Sequence, residues 1–179
     1  MGKAIGMIEL TSIARGIEMS DFMVKAAQVE LLRASTVCPG KYIVIIGGDT
    51  GPVKASLEVG EEKSGEYIVD KLLISNIHPQ LMPAISMTSQ VECLGAVGVL
   101  EFYSVASAIV AADVAAKAAN ITLIEVRIGY AIGGKGYVTL TGDVGAVKAA
   151  VEAAVNNAEL IVTSTVIPRP DPEIFDSLI

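Results

Sequence analysis

The sequence predicts an α+β protein of two tandem βαββαβ units, and three observations carry that prediction. The chain repeats itself. AIGMIELTSIARGIEMSDFMVKAAQVELL from Ala4 and AVGVLEFYSVASAIVAADVAAKAANITLI from Ala96 align at a constant shift of 92, with identity at about eleven of twenty-nine positions. After a two-residue insertion the match resumes at a shift of 94, pairing Gly48-Asp49-Thr50-Gly51 with Gly142-Asp143-Val144-Gly145 and Val53-Lys54 with Val147-Lys148. Within each copy, β-rich runs and helical spacing alternate in the same order. Finally, the 179 residues are 52% hydrophobic but only 4% aromatic and 18% charged, so the apolar mass is Ala, Val, Ile and Leu, which suits close packing of elements. Two copies are too few for a solenoid, which needs three or more repeats. A pair of like domains is expected, residues 1–90 and 94–179, meeting near Ser89–Leu94.

In the first copy, Ala4–Leu10 reads as a short strand. Ser12–Gln28 has helical spacing, with Thr11 or Ser12 as its N-cap. Glu30–Val37 and Lys41–Ile46 are two further strands around the turn signal Cys38-Pro39-Gly40. Gly47-Gly48-Asp49-Thr50-Gly51 turns into a helix beginning near Pro52, a residue favoured at the first helical position. Tyr67–Ser75 is the fourth strand. The second copy repeats this, with Ala146–Ala158 as its second helix and Leu160–Val166 as its last strand. The order resembles a ferredoxin-like sandwich, an antiparallel sheet with helices on one face.

Composition removes several function classes. Thirteen Lys+Arg against twenty Asp+Glu give a net charge of −7, which argues against nucleic acid and anionic membrane as partners. No stretch reaches the ~18 uninterrupted apolar residues of a membrane span. Even Val105–Ala119 carries Ser107, Asp113 and Lys117. The first residues, MGKAIGMIEL, lack the layout of a signal peptide, and position 6 is Gly where a myristoylation motif has Ser or Thr. Two cysteines, Cys38 and Cys93, are too few for a disulfide framework. A cytoplasmic protein is expected.

Few motifs suggest chemistry. Gly129–Lys135 fits G-x-x-x-x-G-K, but Gly136 and the strand YVTL follow where a phosphate loop has Ser or Thr and a helix, so a glycine-rich hairpin is the better reading. Asp49 and Asp143 are expected to cap the helices they precede. His78 is the only histidine, so it cannot build a multi-histidine metal site in one chain; a turn or interface role fits it better than catalysis. Glu9 and Glu101 recur at equivalent strand ends rather than as a converging acid–base pair, and no nucleophile–base constellation is visible, so no catalytic residue is expected. Asp-x-x-x-Lys-Ala-Ala occurs twice, at Asp21–Ala27 and Asp113–Ala119, and pairing along one helix face accounts for it. Cys38 differs in kind, because it sits at a hairpin turn before Pro-Gly, whereas Cys93 lies in the connector without a counterpart.

Together, AIGMIEL, the SDFMVKAA helix, the glycine-rich hairpin, the GGDTG turn and Ile167-Pro168-Arg169-Pro170 resemble the bacterial microcompartment (BMC) shell domain. The second copy shows the same in AVGVLEF, AADVAAKAA, GGKGYV and GDVGAV. The resemblance covers nearly the whole chain, and the pair of copies is similar to the tandem-domain shell proteins. The Cys-Pro-Gly-Lys hairpin and Asn-Ile-His-Pro are most similar to their propanediol-utilisation type.

That resemblance implies a structural shell protein of a bacterial microcompartment in the cytoplasm, not an enzyme. It implies a homotrimer shaped as a pseudohexameric tile, with other shell proteins as neighbours and no nucleic acid or membrane partner. The hairpins of both copies would line the axial pore, here Pro39, Gly40, Ile132, Gly133 and Gly134. Tiles would meet through Lys25, Lys117 and Arg169. The first copy has His78-Pro79 where an Arg is expected, so its edge contact differs. The resemblance also implies one [4Fe–4S] cluster per trimer, held by Cys38 of three chains, passing electrons across the shell to a lumenal or cytoplasmic redox enzyme. Two alternatives stay open: a plain tile whose pore conducts metabolites without a cluster, and a ferredoxin-like trimeric signalling protein that binds nucleotide between subunits.

Overall fold

The structure, a computed structural model, describes residues 4–92 and 94–178, without the side chains of 175–177. Cys93 lies outside the described residues. The chain divides between Ile77 and His78 into two compact units.

The first unit comprises β1 (Ala4–Leu10), α1 (Ile13–Ala26), β2 (Glu30–Val37), β3 (Lys41–Gly48), α2 (Thr50–Ser64), a single 3-10 turn (Gly65–Tyr67) and β4 (Ile68–Ile74). Its sheet runs β2-β3-β1-β4, every neighbouring pair antiparallel. Ser12 caps α1, its side chain accepting from the Arg15 N–H at 3.3 Å. Met19 and Met23 of α1 and Val53 and Leu57 of α2 pack on Ile8, Leu10, Tyr42, Val44 and Ile46 of the sheet. The two helices are tied where α1 ends, because the buried Ser56 hydroxyl donates to the Met23 carbonyl at 2.6 Å.

The second unit opens with the short helix α3 (Leu81–Ile85) and continues β5 (Ala96–Phe102), α4 (Val105–Ala118), β6 (Ile121–Ile128), β7 (Gly136–Gly142), α5 (Val144–Asn157), β8 (Ile161–Ile167) and α6 (Pro172–Leu178). Its sheet order, β6-β7-β5-β8, repeats the first. The register repeats too: Ile5 pairs with Ile74 and Val97 with Ile167, and irregularities fall at Leu31/Arg33 and again at Leu123/Glu125. Ser104 caps α4 as Ser12 caps α1.

Three expectations change. Asp49 and Asp143 occupy the N-cap positions, but neither side chain makes a capping bond. Their backbone carbonyls start the helices instead, accepting from the N–H of Val53 at 3.0 Å and of Val147 at 2.9 Å. The helices consequently begin at Thr50 and Val144, two residues earlier than the sequence suggests, and Pro52 lies inside the first turn, where its missing N–H leaves no bond unmade. The sequence reading carries the first domain to residue 90, whereas the first compact unit ends at Ile77. From His78 the chain is bonded into the second unit. The His78 N–H donates to Asp113 Oδ1 at 2.7 Å, and the Gln80 amide brackets β6, donating to the Ile121 carbonyl at 3.0 Å and accepting from the Leu123 N–H at 2.7 Å. Leu81, Ala84 and Ile85 are buried there.

Candidate functional site

The residues singled out in the sequence fall at two kinds of place, the β-hairpin turns and the first helix of each copy. In the first unit the β2–β3 turn consists of Cys38, Pro39 and Gly40, with the Gly40 N–H donating to the Val37 carbonyl at 3.1 Å. Gly40 has φ +84, a left-handed conformation that favours glycine, and a Cβ there would meet nothing within 4 Å, so the turn faces open space. Cys38 is a free thiol, half-buried, and Pro39 and Gly40 are exposed.

The equivalent β6–β7 turn, residues 129–135, has seven residues against three and carries no thiol. Gly129, Ala131, Gly133 and Gly134 all have positive φ, and the turn closes through the Gly129 N–H donating to the Lys135 carbonyl at 2.9 Å. Ile132 is half-buried, Gly133 exposed and Gly134 buried. A strand follows directly, so the G-x-x-x-x-G-K sequence is a hairpin with no helix N-terminus behind it.

Each turn is anchored by an ion pair that sequence reasoning missed. Glu9, 1% exposed, pairs with Lys41, the first residue after the first turn. Glu101 Oε1 accepts from Lys135 Nζ at 2.7 Å. The bond to Glu101 and its charge push the Lys135 pKa up, against desolvation. The signal was present, since both glutamates and both lysines are retained in the repeat, at shifts of 92 and 94. It becomes legible only once β1 is known to pair with β3, which sets Leu10 opposite Tyr42 and Phe102 opposite Gly136.

On the helices, the Asp-x-x-x-Lys pairs close as the spacing suggests, but unequally. Lys25 Nζ meets Asp21 Oδ2 at 2.7 Å with both side chains more than half exposed. Lys117 meets Asp113, whose residue is 4% exposed and also receives the His78 N–H. Arg169 lines an open cleft of about 600 Å³ with Asp143, Val144 and Pro172. His78 lies in the connector turn, its Nδ1 3.4 Å from the Gln80 N–H. Among the described residues, no group of three His, Cys, Asp or Glu could hold a metal ion within one chain.

The BMC domain matches residues 4–77 and again 96–170. The chain belongs to the BMC domain family. It is 44% identical, over its whole length and 99% of the relative, to the bacterial microcompartment shell protein PduT of Citrobacter freundii. A carboxysome shell protein CsoS1 of Prochlorococcus marinus is 36% identical over 88 residues, 48% of this chain and 85% of that protein. Among solved structures, a microcompartment protein from Desulfitobacterium hafniense superposes with a TM-score of 0.92 at 46% identity, covering 98% of this chain and 99% of that one. A fused permuted hexameric shell protein, MSM0275 from the RMM microcompartment, superposes with a TM-score of 0.60 at 26% identity, covering 86% and 80%. These tandem BMC copies make the chain a structural shell protein of a bacterial microcompartment rather than an enzyme or a nucleotide-binding signalling protein. No helix of the described residues is long and apolar enough to cross a membrane.

Proposed function

We propose that three copies of this chain close into a pseudohexameric shell tile whose axial pore holds one [4Fe–4S] cluster through Cys38, for electron transfer across the shell. The observation that carries this reading is the inequality of the two hairpins: one bears a half-buried free thiol at an open turn, and the other bears Ile132-Gly133-Gly134. A cubane cluster requires thiolates, and one chain offers a single described one. Threefold symmetry multiplies it to three at one point on the axis, while the second hairpins line the same pore without ligating. The residues present therefore fit a shared cluster and not one held within a chain. The fourth iron takes a ligand other than cysteine, or water. The cluster would supply one-electron chemistry; the chain supplies the thiolates and the ion-paired hairpins that hold them.

Closure is supported by the helices. α1 exposes Ile13, Ile17 and Val24 at 39%, 57% and 39%, whereas the equivalent Val105, Ile109 and Ala116 of α4 are buried. Lys25, Lys117 and Arg169 are proposed to meet neighbouring tiles, which are other shell proteins or copies of this one.

Iron and sulfide analysis of anaerobically prepared protein tests the cluster, and sedimentation tests the trimer. The expected result is four irons per three chains at about three times the chain mass. Cys38→Ser should lose the iron and the visible absorbance but keep the trimer, because the turn contributes little core burial. Cys93→Ser should keep both. An iron-free trimer would leave a plain tile with a conducting pore, and a persistent monomer would remove both claims.

A further inference from the structure

We infer that α6, the helix following β8, docks across α1 and β2 of the first copy in a neighbouring chain, in the manner that the connector after β4 docks on α4 and β6. The inference rests on the trimer reading above and adds the contact that joins one chain to the next.

The equivalence comes from the sheet register. Ile74 and Ile167 hold the same place, opposite Ile5 and Val97. Counting onward, His78-Pro79-Gln80-Leu81 corresponds to Asp171-Pro172-Glu173-Ile174, and Ile85 to Leu178. Each segment then forms a short helix, Leu81–Ile85 and Pro172–Leu178, with apolar residues four apart.

The second unit shows what such a segment does to the surface it covers. The His78 N–H donates to Asp113, Gln80 bonds the Ile121 carbonyl and the Leu123 N–H of β6, and Leu123 is 1% exposed. In the first unit the same surface is bare. Leu31, the counterpart of Leu123, is 42% exposed, and Asp21, the counterpart of Asp113, is exposed as well. The Val29 carbonyl and Leu31 N–H stand where those of Ile121 and Leu123 stand. Docking places the Asp171 N–H on Asp21, which is paired with Lys25 as Asp113 is with Lys117, so the same ion-paired carboxylate awaits the same backbone donor. One substitution departs from the template. Glu173 replaces Gln80, and a carboxylate can accept from the Leu31 N–H but cannot donate to the Val29 carbonyl. Because the donating segment and the receiving face belong to different copies of the domain, the contact is head-to-tail, the kind that closes a ring under the threefold rotation of the proposed trimer.

Two experiments test the docking. In a Cys38→Ser, Cys93→Ser chain, Leu31→Cys and Glu173→Cys are treated with a short bismaleimide and run on a denaturing gel, with sedimentation of the same sample. Covalent dimers and trimers are expected. A product linked only within single chains would place α6 against the first copy of its own chain rather than of a neighbour, and absence of linkage would leave it on its own unit, where Leu178 borders a cleft beside Met87 and Tyr137. That result, or no linkage at all, overturns the docking while a trimeric mass leaves the tile intact; a monomeric mass overturns both. In the unaltered background, Glu173→Gln supplies the missing donor and should lower the concentration at which trimers dissociate about fivefold. Unchanged or weaker association would overturn the correspondence of Glu173 with Gln80.

Discussion

The two copies of the BMC domain keep one backbone and solve its packing and its chemistry differently. Where α1 crosses β3, the first copy places Gly16 on the helix against Tyr42 on the strand; a Cβ on Gly16 would lie 2.4–2.5 Å from the Tyr42 ring and its Cβ. Where α4 crosses β7, the second copy has Ala108 against Gly136, with 2.6 Å between the Ala108 methyl and a Cβ built on Gly136. Gly16 corresponds to Ala108 and Tyr42 to Gly136, so small and large have exchanged partners across one crossing. The copies also differ in the β-hairpin turn, the burial of the helix aspartate and the residue opposite the strand-end glutamate. Duplication frees such positions, because in the proposed trimer each copy would occupy only half the ring.

The crossing gives the largest expected effect. Gly16→Ala improves helix propensity by about 1 kcal/mol, but it drives a methyl into the rigid base of Tyr42, and overpacking of this kind outweighs propensity, for a net destabilisation of about 2–3 kcal/mol. Gly136→Ala should destabilise by a similar amount, and Ala108→Gly should relieve most of it. Denaturant unfolding of the Ala108/Gly136 double-mutant cycle should show about 1–2 kcal/mol of favourable coupling. Additive effects would break the claim that the copies exchanged volumes at this crossing.

The helix ion pairs give a smaller contrast. Lys117 neutralises a carboxylate that is nearly buried, so Lys117→Ala should cost about 1–3 kcal/mol, tempered by the bond that Asp113 keeps to the His78 N–H. Lys25 and Asp21 are both exposed, and Lys25→Ala should change stability by less than about 0.5 kcal/mol. Charge reversal at Lys25 therefore tests the tile edge cleanly. Lys25→Asp should remain a folded trimer and lose extended sheets under electron microscopy. Undiminished sheets would show that this lysine does not face the neighbouring tile.

The fold was legible because the repeat doubles every signal: a strand or helix that is ambiguous once, such as Glu30–Val37, is supported by its counterpart at Ile121–Ile128. That Cys38 sits at a hairpin turn was legible because Cys-Pro-Gly is a turn signal between two apolar runs. The glutamate–lysine anchors were not, because they join residues 32 and 34 positions apart across neighbouring strands, and only strand pairing brings them together. The place of His78 was hidden for a related reason. Its role rests on its backbone N–H, which any residue but proline supplies, so the side chain gave no hint of the bond to Asp113.

A pH-dependent contrast concerns the residue opposite the strand-end glutamate, Ile43 in the first copy and Tyr137 in the second. Ile43 is buried and has nothing to titrate. Tyr137 donates its hydroxyl to Glu125 Oε2 at 2.9 Å, and Arg127 donates to the other oxygen at 2.6 Å. Burial, with the bond to Glu125 and its charge, pushes the Tyr137 pKa from 10.0 up to about 12, while Arg127 opposes the shift. The folded state thus holds its proton where the unfolded chain has released it. The stabilisation is complete below pH 10 and is lost as pH rises from 10 towards about 12. Two units correspond to at most about 2.7 kcal/mol, and because the ring is only half-buried, solvent screening reduces this to about 1 kcal/mol. Tyr137→Phe removes that step at the expense of one hydrogen bond, so its stability should be lower than that of the unaltered protein at pH 8 and the two should converge near pH 12. Parallel alkaline unfolding curves would show that the phenol titrates as freely in the folded chain as in the unfolded one, and the second copy would then resemble the first at this position.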